Sequence, residues 1–210
     1  MKTRMMVVTI SFFTAITIVS PVHADKLADF KEASTKKYCD SIPYYNPKMD
    51  CMRAQRDAKD YCDEYKCDGI SFQNEEGRVT SLNKEIAELE KQLKELQSNL
   101  SASEVATRQK DIEDKRKEVT NLQKQIEDTK IRLQGRLAKG QRCRHARLEV
   151  QKIFQRAQEE VAREEESLRQ IAAQSMIPHW QDEGRKHSDA IIDTQTAVDK
   201  CDKKLAGKDQ

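Results

Sequence analysis

Glycine, proline and aromatic residues are all scarce in this 210-residue chain: six Gly, four Pro and 5% aromatics. Few Gly and Pro leave little material for closely spaced turns. A hydrophobic fraction of 37% is too low for a broad core, so narrow seams between long helices are expected instead. An excess of charge of one sign is also missing. Lys plus Arg number 38 and Asp plus Glu 36, and the first 24 residues hold two of the basic residues and none of the acidic ones. The remainder is formally neutral, which argues against a general nucleic-acid binder, because displacing counterions from phosphate needs a basic excess. The local basic run Arg142–Arg147 (RCRHAR) reads as a solvated helix face.

Motifs that carry chemistry are missing as well. There is no Gly-rich phosphate loop, no nucleophile elbow and no HExxH. His179 and His187 are eight residues apart, not the four that set two ligands on one helix face. Glu164, Glu165 and Glu166 form a charge run without a pocket to shift their pKa values. No catalytic residue, cofactor or metal ligand is expected, and the chain does not read as an enzyme.

Only one long hydrophobic run is present, Met5–Val19 (MMVVTISFFTAITIV), and it is short for a membrane span of roughly 20 residues. Lys2 and Arg4 precede it and Val22-His23-Ala24 follows, the pattern of a signal peptide over 1–24 cleaved before Asp25. An uncleaved anchor is the alternative. No span is expected after cleavage.

Cysteine is well represented. Cys39, Cys51, Cys62, Cys67, Cys143 and Cys201 make an even number in an exported chain, which points to disulfides and a periplasmic or secreted location. A structural zinc site at Cys62-x4-Cys67 is the alternative, although no second pair completes a ligand set.

Residues 25–70 read as a cysteine-rich helical hairpin. Asp25–Lys37 makes one short helix, Ser41–Pro47 a loop, and Asp50–Lys66 a second helix with Cys51, Ala54, Ala58 and Cys62 at helical spacing. Folding about Tyr44 and Tyr45 brings Cys39 to Cys51, the preferred pairing. A disulfide from Cys201 to Cys143, or to the N-terminal cysteines, would tie the tail to the base of the hairpin, and the bond to Cys143 would need an extra bend.

Residues 71–140 read as a coiled-coil hairpin. Val79, Leu82, Ile86, Leu89, Leu93, Leu96 and Leu100 are spaced 3, 4, 3, 4, 3 and 4. Val105, Ile112, Val119, Ile126 and Leu133 then recur every seven residues. The intervening Arg108, Lys115 and Thr129 are polar and Leu122 is not, so this second seam is thinner. Ser98–Ser103 interrupts the phase, and Ser101-x-x-Glu104 matches a capping box. A turn there gives a hairpin, and a phase insertion gives a continuous rod. Gly135 and Gly140 mark either a hinge or a weakened, continuing helix.

Residues 141–210 read as a C-terminal helical pair, Arg142–Met176 closed by Pro178, then a stripe of Trp180, Gly184, His187, Ile191, Thr194, Val198, Cys201 and Leu205. Trp180 is expected to cap the pair, and His187 to be a core or rim histidine. Tyr38, Tyr44, Tyr45, Tyr61 and Tyr65 are all five tyrosines of the chain. They either pack around the disulfides or form a partner-binding surface.

The segment Leu96–Asp128 resembles the tentacle tips of Skp/OmpH-type periplasmic chaperones, where a Ser-containing turn joins two charged helices. The likeness spans 33 of the 186 residues after Ala24 and implies a holdase. The family's strand-built trimerisation body and basic excess have no counterpart, and its pattern does not call for six cysteines. The expected fold is all-α, an elongated antiparallel helical hairpin with a disulfide-stapled helical base. The expected role is a cell-envelope scaffold or adaptor with a protein partner, self-association being an alternative. Holdase and cysteine-stapled inhibitor are the competing roles.

Overall fold

The computed structural model describes residues 21–96 and 100–207, the first four as backbone only. The elements are α1 (Pro21–Ser34), a 3₁₀ turn (Tyr38–Ser41), α2 (Tyr45–Tyr61), α3 (Gln73–Leu96), α4 (Ala102–Val161), α5 (Glu166–Ile171), a π-helical turn (Ala172–Met176) and α6 (Ile177–Leu205). No strand occurs among the described residues. The protein is all-α with a disulfide-stapled base. The expected leader lies outside the described residues except for the backbone of 21–24, which belongs to the first turn of α1.

Helix α4 is the spine, 60 residues long, about 90 Å at 1.5 Å per residue. The capping box opens it: Glu104 N–H donates to Ser101 Oγ at 3.3 Å, and Ser101 N–H donates to Glu104 Oε2 at 2.8 Å. These two bonds satisfy donors that a helix start leaves without partners. The helix continues through Gly135 and Gly140, so neither is a hinge, and the boundary expected at 140/141 falls inside it. Gly140 has a packing reason. A Cβ there would lie 2.8 Å from Val198 Cγ2 and 3.6 Å from Tyr65 Cδ2, so its missing side chain admits α6 and Tyr65 to the backbone.

Helix α3 packs antiparallel on α4. The cross-helix pairs run in opposite order along the two helices: Glu76 with Lys130, Arg78 with Glu118, Glu85 with Lys115, and Gln92 with Arg108. A continuous rod cannot make these contacts. Leu82 and Ile86 bury against Ile112 and Val119, with Val79, Leu89, Leu93 and Leu122 partly covered. The polar positions of the thinner seam also have partners, since Lys115 donates to Glu85 at 2.8 Å and Arg108 to Gln92 at 3.3 Å. Residues 97–99, including Ser98 of the expected turn, lie outside the described residues.

The base gathers α1, α2, the C-terminal part of α4, α5 and α6 around Phe30, Ile42, Val150, Phe154, Leu168, Met176 and Trp180. A smaller cluster, Cys67, Phe72, Leu133 and Cys201, lies between this core and the arm.

All six cysteines are paired: Cys39–Cys51, Cys62–Cys143 and Cys67–Cys201, with Cα–Cα distances of 5.5, 4.9 and 5.4 Å. The first is the pairing expected from the sequence. The Cys143–Cys201 bond is not made, because the return from α4 comes earlier than Pro178. Helix α4 ends at Val161, and the chain reverses before the extended Glu165 (φ −62, ψ 155) starts α5. Pro178 sits in the first turn of α6, just after the π-turn in which Ile177 N–H bonds Ala172 O. A bulge of this kind lets a proline stay inside one helical run. With that turn, α6 runs back along α4 and sets Thr194, not Cys201, beside Cys143 (Sγ–Oγ1 3.9 Å). Cys143 and Cys201 are left to meet Cys62 and Cys67.

Helix α2 also starts earlier than expected, at Tyr45 instead of Asp50, and stops at Tyr61 instead of Lys66. Pro47 fits in its first turn, where a backbone N–H would lack an intrahelical partner anyway. After Cys62 the chain turns through Glu64, whose φ of 51° is left-handed.

Candidate interaction surface

His179 and Trp180 belong to the fold. Trp180 is fully buried, and its Nε1–H donates to Ser41 Oγ at 2.8 Å. Ser41 Oγ in turn donates to Tyr38 O at 2.5 Å. His179 Nε2 accepts the Tyr38 backbone N–H at 2.6 Å. These adjacent side chains of α6 hold both ends of the 3₁₀ turn that carries Cys39, including Tyr38 with its φ of 54°. Trp180 therefore sits inside the base core and does not cap a helix end. His187 is half-buried on the α6 stripe, and burial lowers its pKa, with Glu183 raising it and Arg147 lowering it further.

The charge runs disperse in three dimensions. Arg142 lies over the Tyr61 ring at 5.4 Å, while Arg147 donates to Ala190 O at 2.6 Å and Thr194 Oγ1 at 3.0 Å. Glu164 accepts from Lys26 Nζ at 3.3 Å and from Tyr44 Oη at 3.3 Å. Burial and then Glu164 push the Tyr44 phenol well above its ordinary range. Glu166 pairs with Arg169 at 2.7 Å.

The tyrosines divide between the two readings. Tyr65 is buried against Gly140, Tyr44 meets Phe30 edge-on at 5.9 Å, and Tyr61 lies under Arg142. These three pack near the disulfides. Tyr38 and Tyr45 are exposed, Tyr45 to 75%. Tyr45 stands between two recesses. One, about 610 Å³, is bounded by Phe30, Tyr44, Pro47 and Ile153. The other, about 250 Å³, is bounded by Ala33, Ile42, Pro43 and Lys48.

Helical spacing extends this feature along α2. Tyr45, Met49 and Met52 share its outer face, with Met49 43% and Met52 38% exposed. The opposite face holds Cys51 and Ala54, both buried in the base core. Helix α2 therefore has two apolar stripes, one covered by α4 and one open to solvent. Reading the sequence by its buried face found the first; Tyr45, Met49 and Met52 at i, i+4 and i+7 were the available signal for the second. Below it, between α2 and α4, runs a groove of about 720 Å³ whose lining includes Arg53, Asp57, Tyr61, Arg142, His145 and Glu149.

The arm differs. Its strict a/d stripe is the narrow kind that one partner helix covers, and α3 and α4 cover each other's. The three disulfides point to an oxidising, extracytoplasmic compartment. No helix of the described residues is long and apolar enough to cross a membrane, and no group of His, Cys, Asp or Glu among them is arranged to hold a metal ion. No protein-family model, curated protein or solved structure matches the chain.

Proposed function

We propose that this protein is an exported adaptor of the cell envelope, periplasmic or secreted, that docks a protein partner on its base and carries the α3/α4 arm as a spacer. One observation carries the reading. The apolar seam of the arm is occupied internally up to Leu96 near its tip, which is exposed, whereas the base leaves the three-residue Tyr45–Met49–Met52 face of α2 open. Contiguous exposed apolar residues rimmed by polar ones, as these are, form the kind of surface on which a partner buries area. Disulfides Cys39–Cys51, whose Cys51 lies within that helix, and Cys62–Cys143, at its C-terminal end, anchor it to the base, so the face is presented in a fixed shape at little ordering cost on binding.

The charged exterior of the arm suits a soluble strut. Its exposed cross-helix pairs, such as Arg78–Glu118 at 3.1 Å, contribute little individually, and Lys115–Glu85 at 2.8 Å is half-buried. The adaptor reading is tested by in-envelope crosslinking of the full chain, alongside an aggregation assay with unfolded outer-membrane proteins. Saturable capture of one defined partner without aggregation suppression supports it. Broad suppression of aggregation at stoichiometric amounts replaces it with the holdase reading.

A further inference from the structure

The open stripe on α2 continues beyond its apolar part. Tyr45, Met49, Met52, Arg56 and Lys59 are spaced 4, 3, 4 and 3, the alternation by which one helix packs along another. The first three are apolar and the last two are exposed cations. Neighbouring cations on this helix have carboxylates of their own: Lys48 meets Asp40 at 3.0 Å and Arg53 meets Asp50 at 3.7 Å. Arg56 and Lys59 form no ion pair among the described residues, and Asp60, one turn on from Arg56, does not close one with it.

The geometry points to an acidic amphipathic helix of a protein partner as the occupant of this face, an inference that rests on the adaptor reading. Such a helix would set apolar side chains over Tyr45, Met49 and Met52, with carboxylates over Arg56 and Lys59 and away from Asp29, Asp40 and Asp50 in the recesses beside Tyr45. Methionine suits the contact because its unbranched side chain adapts to the shape laid on it.

Two other occupants fit less well. A bilayer would meet only three apolar residues, short of the continuous apolar face that an interfacial helix buries, and Asp60 beside Lys59 would face its anionic headgroups. A second copy would offer the same stripe in an isologous contact, with no carboxylate in it for Arg56 and Lys59, or Ile131 and Ile192 as single apolar side chains.

The test places a photo-crosslinking amino acid in the full chain at Met52, and separately at Lys91 on the arm and Ile192 on α6, with adducts mapped by mass spectrometry. The expected adduct at Met52 is a partner segment whose apolar and acidic residues alternate at spacings of three and four. Arg56→Glu with Lys59→Glu should cut its yield at least tenfold, while Arg56→Lys with Lys59→Arg retains it. Both positions are exposed, and unchanged Trp180 emission verifies the fold of each variant. An adduct to lipid, to a second copy or to a segment without carboxylates overturns the inference, as does full yield in the charge-reversed variant. Adducts to a partner at Ile192 but not at Met52 overturn it and leave docking on the base standing, whereas adducts at Lys91 alone overturn both. No partner adduct at any position removes both.

Discussion

Trp180 and Ser41, 139 positions apart in sequence, share a buried hydrogen bond of 2.8 Å from the indole Nε1–H to the serine hydroxyl. Ser41→Ala deletes one oxygen and leaves the indole donor unpaired in the core. The expected loss is about 1–3 kcal/mol of stability, the penalty of an orphaned buried donor. Urea unfolding followed by Trp180 emission measures it, since this is the single Trp of the chain.

Gly135 and Gly140 lie in the same helix and should respond oppositely to alanine. At Gly135 an added Cβ meets nothing within 4 Å, so Gly135→Ala should stabilise by about 0.5–1 kcal/mol through helix propensity. At Gly140 the same methyl would be 2.8 Å from Val198 Cγ2, on a stiff β-branched side chain with Tyr65 alongside. Overpacking of about 1–3 kcal/mol then exceeds the propensity gain, and Gly140→Ala should be net destabilising. Gly140→Ala with Val198→Ala should recover part of the loss relative to the sum of the single changes. Thermal melts of the four variants decide this.

The disulfides should be unequal. Cys39–Cys51 spans 12 residues and Cys67–Cys201 spans 134, and loop-closure entropy assigns them about 3 and about 5 kcal/mol respectively. Cys62–Cys143 bypasses part of the longer loop, which brings the second figure toward about 4 kcal/mol. Replacing Cys67 and Cys201 with Ala should lower Tm more than replacing Cys39 and Cys51. Equal losses would show that local packing, not chain connectivity, sets the contribution.

Acidification should weaken the fold through His187 before the carboxylates respond. Its pKa is held below the ordinary 6.5 by burial, so the folded ring stays neutral while the unfolded ring takes up a proton. The unfolded state then binds more protons, and stability present above about pH 6.5 is lost as pH falls toward the lowered folded value. Asp182 and Glu149, held low chiefly by hydrogen bonds to Lys186 and Lys152, lose their contribution only at more acidic pH. Urea midpoints at about pH 7.5 and about pH 5.5 should differ in the native chain and differ less in His187→Gln. An equal difference in both would assign the slope to another group.

The arm was legible because its pattern is local. Heptad spacing from Val79 and the Ser101–Glu104 box depend on neighbours in sequence, and Leu82, Ile86, Ile112 and Val119 are buried as that spacing requires. Cys39–Cys51 was legible for the same reason, being closed by a short turn. The open face of α2 was harder to see. With Cys51 and Ala54 setting the buried phase, Tyr45, Met49 and Met52 were three more apolar residues in a helix, and their exposure depends on where α4 and α1 stop.

Composition, cysteine count and periodicity were therefore sufficient for a helical, disulfide-bonded chain with a long heptad-patterned segment, while the choice of hairpin over rod came from the packing of α3 on α4. Each follows from hydrophobic burial at a helix repeat and from oxidation of paired thiols. The partners of Cys143 and Cys201, and that Trp180 is core, were decided only by the tertiary structure. Both depend on the turn after Val161, and a proline one helical run later drew the expected turn to itself. A π-turn absorbs Pro178 where its own sequence signals a break, and only the packing of α6 along α4 selects that option.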